Sequence, residues 1–196
     1  MGTKHIPILM YHRITRNGEG EPSSFVVNAR VFERQLQFFS EHGYYTPRLA
    51  DVSSTHASMV SSARKPLIIT FDDGYLDTLE QAAPLLRKYG FSAIVFILPG
   101  LRTNSWDAPK GIAEAKLMET NQYLELREMG IEIGSHGWSH RSLPLLGDEE
   151  LENELTQSKR VAEELLKQPI EYFAYPYGEV DERVKKAVRN AGYVCA

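Results

Sequence analysis

The feature that most constrains this chain is an alternation. Short apolar runs, IPILMY (6–11), PLIITF (66–71), SAIVFIL (92–98), IEIGS (131–135) and IEYFAY (170–175), are separated by segments of helical periodicity. Most of these runs are apolar at successive positions rather than at every second one. That is the pattern of strands covered on both faces. GYYT (43–46) is a weaker strand, and the terminal YVCA (193–196) reads as the start of another. Between them, VFERQLQFFSEHG (31–43) places Phe32, Leu36 and Phe39 on one helical face, with Gly43 as a stop. Residues 148–168 place Leu151, Leu155, Ala162, Leu165 and Leu166 together, with Asp148 as cap and Pro169 as terminator. Residues 76–90 form a less regular helix that Pro84 should kink or restart, and 181–192 form the last. A β-α-β-α order of this kind predicts a parallel sheet with right-handed crossovers, either an open doubly wound sheet or a barrel.

Bulk properties narrow the function classes. The 196 residues suffice for one core, and 1–196 is read as a single domain. A net charge of −4 offers no basic footprint for nucleic acid or an anionic membrane. The lone cysteine, Cys195, excludes an internal disulfide framework and a cysteine-based zinc knuckle. The N-terminal apolar run, residues 6–11, is too short for a signal-peptide core or a membrane span. As written the chain reads as cytoplasmic, or as exported if a leader has been removed. No Gly-rich phosphate motif follows any strand. Loop 99–120 is long for a connection, and such loops tend to be functional. The Ser-rich stretch 53–62 reads as surface loop.

The chemistry is positional. His12 follows IPILMY, Asp72 and Asp73 follow PLIITF, His136 follows IEIGS, and Tyr177 and Gly178 follow YFAY-Pro176. Each lies just past the C-terminal end of an expected parallel strand, the edge where such folds build sites. Two adjacent carboxylates at the end of a buried strand are costly without a positive charge nearby. His136 and His140 are four residues apart, a spacing that lets two imidazoles bind one metal ion. One carboxylate can then join them as a ligand while the other stays free as a base beside a metal-activated water. Two histidines and one carboxylate also suit Fe(II), so an iron oxygenase is an alternative.

Three stretches carry a resemblance. TFDDG (70–74), SHGWSH (135–140) and AYPYG (174–178) resemble, in order and spacing, the motifs of the polysaccharide deacetylases, carbohydrate esterase family 4, with the NodB homology domain. The resemblance implies a deformed (β/α)7–8 TIM-like barrel. It implies Asp72 as catalytic base, Asp73, His136 and His140 as ligands of one divalent ion, usually zinc, and the Tyr177 N–H as an oxyanion donor. Gly137 stands where the family usually has Ser or Thr, and Ala174 where it often has Arg. The family's closing motif, an apolar strand ending in a catalytic histidine, is absent before Ala196. ILMYH (8–12) has that shape, as in the circularly permuted branch resembling poly-β-1,6-N-acetylglucosamine deacetylases, and this assigns His12 as general acid. The NSWD stretch (104–107) is similar to that branch too. The implied substrate is an N-acetylated glycan; Trp138, Tyr75 and Trp106 are candidate rim aromatics for sugar stacking, with packing beneath the metal loop an equal reading of Trp138. Barrel closure is expected to be incomplete unless further residues or a partner chain supply it, and the oligomeric state is open. The remaining alternative is a non-catalytic glycan-binding barrel with a vestigial metal site.

Overall fold

The computed structural model describes residues 6–16, 25–53, 64–110 and 113–196. The Ser-rich stretch 53–62 lies outside them except for Ser53. Four parallel strands make the main sheet: β1 (Ile8–Tyr11), β6 (Ile68–Phe71), β7 (Ile94–Ile97) and β8 (Glu132–Ser135), in the order β1-β6-β7-β8. Single parallel bridges, Ser135 to Phe173 and Tyr172 to Cys195, continue the same arc. Two small parallel pairs flank it: β2 (Arg13–Thr15) with β3 (Val26–Asn28), and β4 (Tyr44–Tyr45) with β5 (Lys65–Pro66). The α/β class with a parallel sheet is as expected. Among the described residues no ladder joins β1 to the segment at Cys195.

Helices cover one face of the sheet. They are α1 (Ala29–Glu41), α3 (Ala83–Tyr89), α4 (Thr120–Glu128), α5 (Asp148–Leu166) and α6 (Glu182–Asn190), with the short α2 (Leu49–Ser53) elsewhere. Helix α1 starts where Asn28 Oδ1 accepts the Arg30 N–H at 2.9 Å, and it buries Phe32 and Leu36 fully. Phe32 meets Tyr11 edge-on at 5.1 Å and Phe71 at 5.8 Å, so α1 is keyed to the ends of β1 and β6. The same core takes Ile69, Val95, Ile97 and Ile133 from successive strands and Phe173 from the bridged segment beyond them. On the opposite face Ile94, Phe96 and Tyr172 form a smaller cluster packed by Leu49 of α2. Gly134 belongs there because a Cβ would stand 2.6 Å from the Phe96 ring.

Several expectations need correction. Strand β1 is covered on one face only: Ile8 and Met10 are 62% and 61% exposed, whereas β6 and β7 are buried throughout. Residues 170–175 contribute only the bridges at Tyr172 and Phe173. The ladder stops there because the Ala174 carbonyl turns to accept from a histidine ring instead of continuing the pairing. Residues 66–71 are divided, since Lys65 and Pro66 pair with Tyr44 and Tyr45 while Ile68 onward joins β1. The N-cap of α5 is Gly147, whose N–H donates to Glu150 Oε2, rather than Asp148. Helix α4 and the β2–β3 pair were not anticipated. Pro84 acts as expected on its helix: it has no N–H to donate, and a π-helical turn, Thr78–Ala82, precedes α3.

The Phe32→Ala variant should lose about 3–5 kcal/mol of stability, the usual cost of emptying an aromatic site in a packed core. Urea unfolding checks this, and a loss below ~1 kcal/mol would mean that α1 is not keyed to the strand ends through this ring.

Candidate active site

Register places the functional groups side by side. Tyr11 pairs with Phe71, and the Asp72 N–H donates to the Tyr11 carbonyl at 3.0 Å. His12 and Asp72 are therefore neighbours just beyond the last rung. Ile97 pairs with Ser135, and the His136 N–H donates to the Ile97 carbonyl at 2.9 Å. Ser135 bridges to Phe173, which brings the turn Pro176–Gly178 to the same edge. His12, Asp72, Asp73, His136 and Tyr177 thus share the C-terminal edge of one parallel sheet.

Loop 99–118 folds back onto the carboxylate turn. The Met118 N–H donates to the Gly74 carbonyl at 2.8 Å and the Leu76 N–H to the Lys116 carbonyl at 3.0 Å. Buried Asn104 secures the loop internally, its Oδ1 accepting the Ala115 N–H at 2.6 Å. The next residues form a 3-10 turn, Ser105–Lys110, which carries Trp106 onto the His140 ring, with centroids 4.2 Å apart and planes at 28°.

Three side chains converge. Asp73 Oδ1 lies 3.4 Å from His136 Nε2 and 3.2 Å from His140 Nε2, all three residues being buried. One ligand atom from each falls within 4.8 Å of the others. Tetrahedral coordination with bonds near 2.0–2.1 Å separates two ligands by about 3.3 Å, so both spacings fit a divalent cation held between the carboxylate and the imidazoles. Asp73 Oδ1 also has no hydrogen-bond partner among the described residues, an expensive state for a buried carboxylate oxygen unless a cation satisfies it. His136 is oriented from behind, because its Nδ1 lies 2.9 Å from the Ala174 carbonyl. A carbonyl can only accept, so Nδ1 carries the proton and the Nε2 lone pair faces Asp73.

Electrostatics sort the two carboxylates. Burial pushes Asp73 up, but the His140, His136 and His12 imidazoles outweigh it and hold the carboxyl below its ordinary range. Asp72 has no such company: burial first, then the charge on Asp73, raise it to about 7. Burial lowers His136 to about 4 against the pull of Asp73, which keeps it neutral and able to ligate. His12 is lowered as well, chiefly by burial and against the charge of Asp73.

The expected aromatics divide. Trp106 lies half-buried on His140, at the site. Tyr75 is not an exposed rim aromatic: it is 4% exposed, packed with Leu98, Ala115 and Leu117 under the Arg13 guanidinium. It was pulled inward because loop 99–118 bridges to it through Leu117. Trp138 packs against Gly100, where a Cβ would meet its indole at 2.6 Å. Tyr177 is exposed and places its ring edge-on to His140 at 4.5 Å. Its φ of +61° is one of four positive values at non-glycine residues among those described, and Asp73 at +72° and His140 at +56° are two of the others. Such backbone costs about 1–3 kcal/mol each and clusters at functional sites.

Two supporting groups brace these loops. Arg13 Nε donates to Asp77 Oδ2 at 2.8 Å, and the Ile14 N–H donates to Asp77 Oδ1 at 3.1 Å. This ties the strand after His12 to the helix start after Asp72. Glu154, buried on α5, accepts from the backbone of Trp138 and Ser139. An i, i+5 spacing from Asp72 to Asp77 was visible as a signal; no local pattern links Glu154 to a loop fifteen residues earlier.

Comparison with known proteins adds an independent line. The profile of the family described as polysaccharide deacetylase matches residues 60–196. YxkH of Bacillus subtilis, named for the same family, is 30% identical over 188 residues, 96% of this chain and 62% of its own length. The peptidoglycan-N-acetylglucosamine deacetylase of Bacillus cereus is 32% identical over 137 residues, 68% of this chain and 56% of its own. The chain thus spans less than two thirds of the length of these curated relatives. The structure of the Streptococcus pyogenes deacetylase PplD in complex with acetate superposes with a TM-score of 0.82 at 27% identity, over 96% of this chain and 81% of that one. The family profile leaves out the strand that carries His12, whereas YxkH and PplD match nearly the whole chain.

The Asp72 shift has a stability consequence in metal-free protein. Protonated Asp72 contributes stability that is complete below its ordinary value of 3.8 and is lost as pH rises through about 7. His136, lowered to about 4, contributes in the opposite sense over an overlapping window, so the wild-type profile alone is blunt. The difference between Asp72→Asn and wild type removes the His136 share. With metal chelated, the variant should gain on wild type by about 1.4 kcal/mol per pH unit between roughly pH 4 and 7 in urea unfolding. A flat difference would show that Asp72 titrates normally.

Proposed function

The chain belongs to the polysaccharide deacetylase family, and on that premise we propose that it is a metal-dependent hydrolase that removes N-acetyl groups from an amino-sugar polymer or oligomer and releases acetate. The observation that carries this reading is Asp73 Oδ1, without a hydrogen-bond partner among the described residues and facing two imidazole nitrogens at a coordination spacing, with a second, separately titrating carboxylate beside it. Asp73, His136 and His140 would hold the ion, and their two-nitrogen, one-oxygen set suits zinc. When bound, the cation supplies Lewis-acid polarisation of the acetamide carbonyl and lowers the pKa of water toward ~7.

The remaining chemistry belongs to the chain's own groups. Burial first and the charge on Asp73 second raise Asp72; a cation held at Asp73 would offset the second and favour the ionised form that accepts a proton. The Asp72 carboxylate takes the proton from the water as that oxygen attacks the carbonyl carbon. The backbone N–H of Tyr177 is assigned to the developing oxyanion, a contribution typically worth ~10²–10³ in rate. The C–N bond then breaks, and His12 delivers its proton to the leaving nitrogen. The imidazolium form is the donor; burial disfavours that form and the charge of Asp73 favours it. Products are acetate and the free amino sugar. Trp106 and Tyr177, both in ring contact with His140, supply apolar faces where a sugar can rest. The N-acetylglucosamine in the name of the Bacillus cereus relative supports that substrate class.

The iron-oxygenase alternative leaves Asp72 without a task, whereas hydrolysis uses it. Among the described residues no helix is long and apolar enough to cross a membrane.

Deacetylation of N-acetylated chito-oligosaccharides, followed by acetate release, tests the proposal. Chelation should abolish activity and zinc should restore it. Asp72→Asn and His12→Ala should each lower kcat by about 10²–10⁴ with modest change in KM. Activity that survives chelation, or oxygen uptake with Fe(II), would replace this reading with another.

A further inference from the structure

Glu154 is buried within α5 and has no part in the steps above. Its Oε1 accepts the Trp138 N–H at 3.2 Å, the Ser139 N–H at 2.6 Å and the Ser139 hydroxyl at 3.0 Å, and Oε2 lies 3.0 Å from the same hydroxyl. These donors come from two residues lying between His136 and His140 in the chain. The loop they occupy is bent by Gly137 at φ +89° and ends with His140 at φ +56°, a conformation its side chain disfavours. A carboxylate buried beneath it, collecting two consecutive backbone N–H groups and a hydroxyl, is a strong directional restraint on such a loop.

We propose that Glu154 is the positioning residue of the metal-binding loop: it fixes residues 138–139 so that the His140 ring is presented to Asp73 at the spacing a shared ion requires. The inference rests on reading Asp73, His136 and His140 as a metal site. His136 is steadied from behind by the Ala174 carbonyl, whereas His140 Nδ1 has no partner among the described residues. The orientation of His140 therefore comes from its backbone and from the Trp106 and Tyr177 rings packed against it, and the backbone is what Glu154 holds. Loss of the restraint should weaken metal binding more than it weakens the fold, because the helix side of α5 is packed independently through Leu151, Leu155 and Ala162.

The test is the zinc dissociation constant of the full chain, measured by competition with a chromogenic chelator, alongside the Tm of the metal-free protein. Glu154→Met, close in volume but without the acceptors, should bind zinc roughly 10–100-fold more weakly, the usual range for losing an outer-shell partner of a metal ligand. Glu154→Gln keeps an acceptor at Oε1 and should lose less. Ser139→Ala, which removes only the hydroxyl, should fall between wild type and Glu154→Met. A folded Glu154→Met that binds zinc within twofold of wild type overturns the proposal, even if its metal-free Tm falls, since that is the signature of a purely structural tie. If Glu154→Met does not fold, the other two variants decide: a several-fold loss in both supports the assignment, and unchanged affinity in both overturns it. A wild-type protein that binds no zinc removes the metal reading, and this inference with it.

Discussion

Asp73 Oδ1 is buried, ionised and 3.2–3.4 Å from two imidazole nitrogens, with no hydrogen-bond donor among the described residues to satisfy it. An arrangement of that kind is costly on its own and becomes favourable only when a cation sits among the three groups. Much of the local structure serves to maintain it. Asp73 and His140 both adopt left-handed backbone, which a loose turn would abandon. Strand register, the ring contact with Trp106 and the folded-back loop 99–118 hold them there. The difference in environment between Asp72 and Asp73 shifts the two carboxyls in opposite directions although they are neighbours in the chain, as the proposed roles of base and ligand require.

The two sides of the sheet divide the work. On the helix side, Phe32, Phe71, Ile97 and Phe173 pack into one continuous core that makes the strand ends rigid. At the C-terminal edge, short polar ties link separate elements: Arg13 to Asp77 across β2 and the π-helical turn, Glu154 to the histidine loop, and Asn104 within the long loop. Sites built on strand ends and braced by such ties hold geometry better than sites carried on loops alone.

Much of this was legible in the sequence because the signals are local. Apolar runs located β1, β6, β7 and β8 within a residue or two, and the groups that follow them could be placed on one edge. The amphipathic pattern of α1 and α5 located their buried faces. What escaped was nonlocal. Glu154 reads as one more acid on a charged helix until α5 is packed beneath the histidine loop. Strands β2 and β3 have three residues each, too few to show a period. Helix α4 has weak amphipathicity and begins without a Ser, Thr, Asp or Asn cap, using Gln122 to accept the Glu119 N–H instead. Tyr75 followed the carboxylates and so looked exposed, but only the return of loop 99–118 could reveal that it is covered. Residues 170–175 looked like a strand because their composition is right, and pairing ends there because the Ala174 carbonyl is committed to His136.

The claim most exposed to contradiction is that one ion is shared by Asp73, His136 and His140 while Asp72 stays outside its coordination. Anomalous diffraction from crystals of the zinc-loaded protein, collected at the zinc edge, addresses it directly. The account predicts a single strong peak within bonding distance of Asp73 Oδ1, His136 Nε2 and His140 Nε2, with Asp72 beside it and unbonded. A peak bonded to Asp72, or placed away from these three side chains, would contradict it.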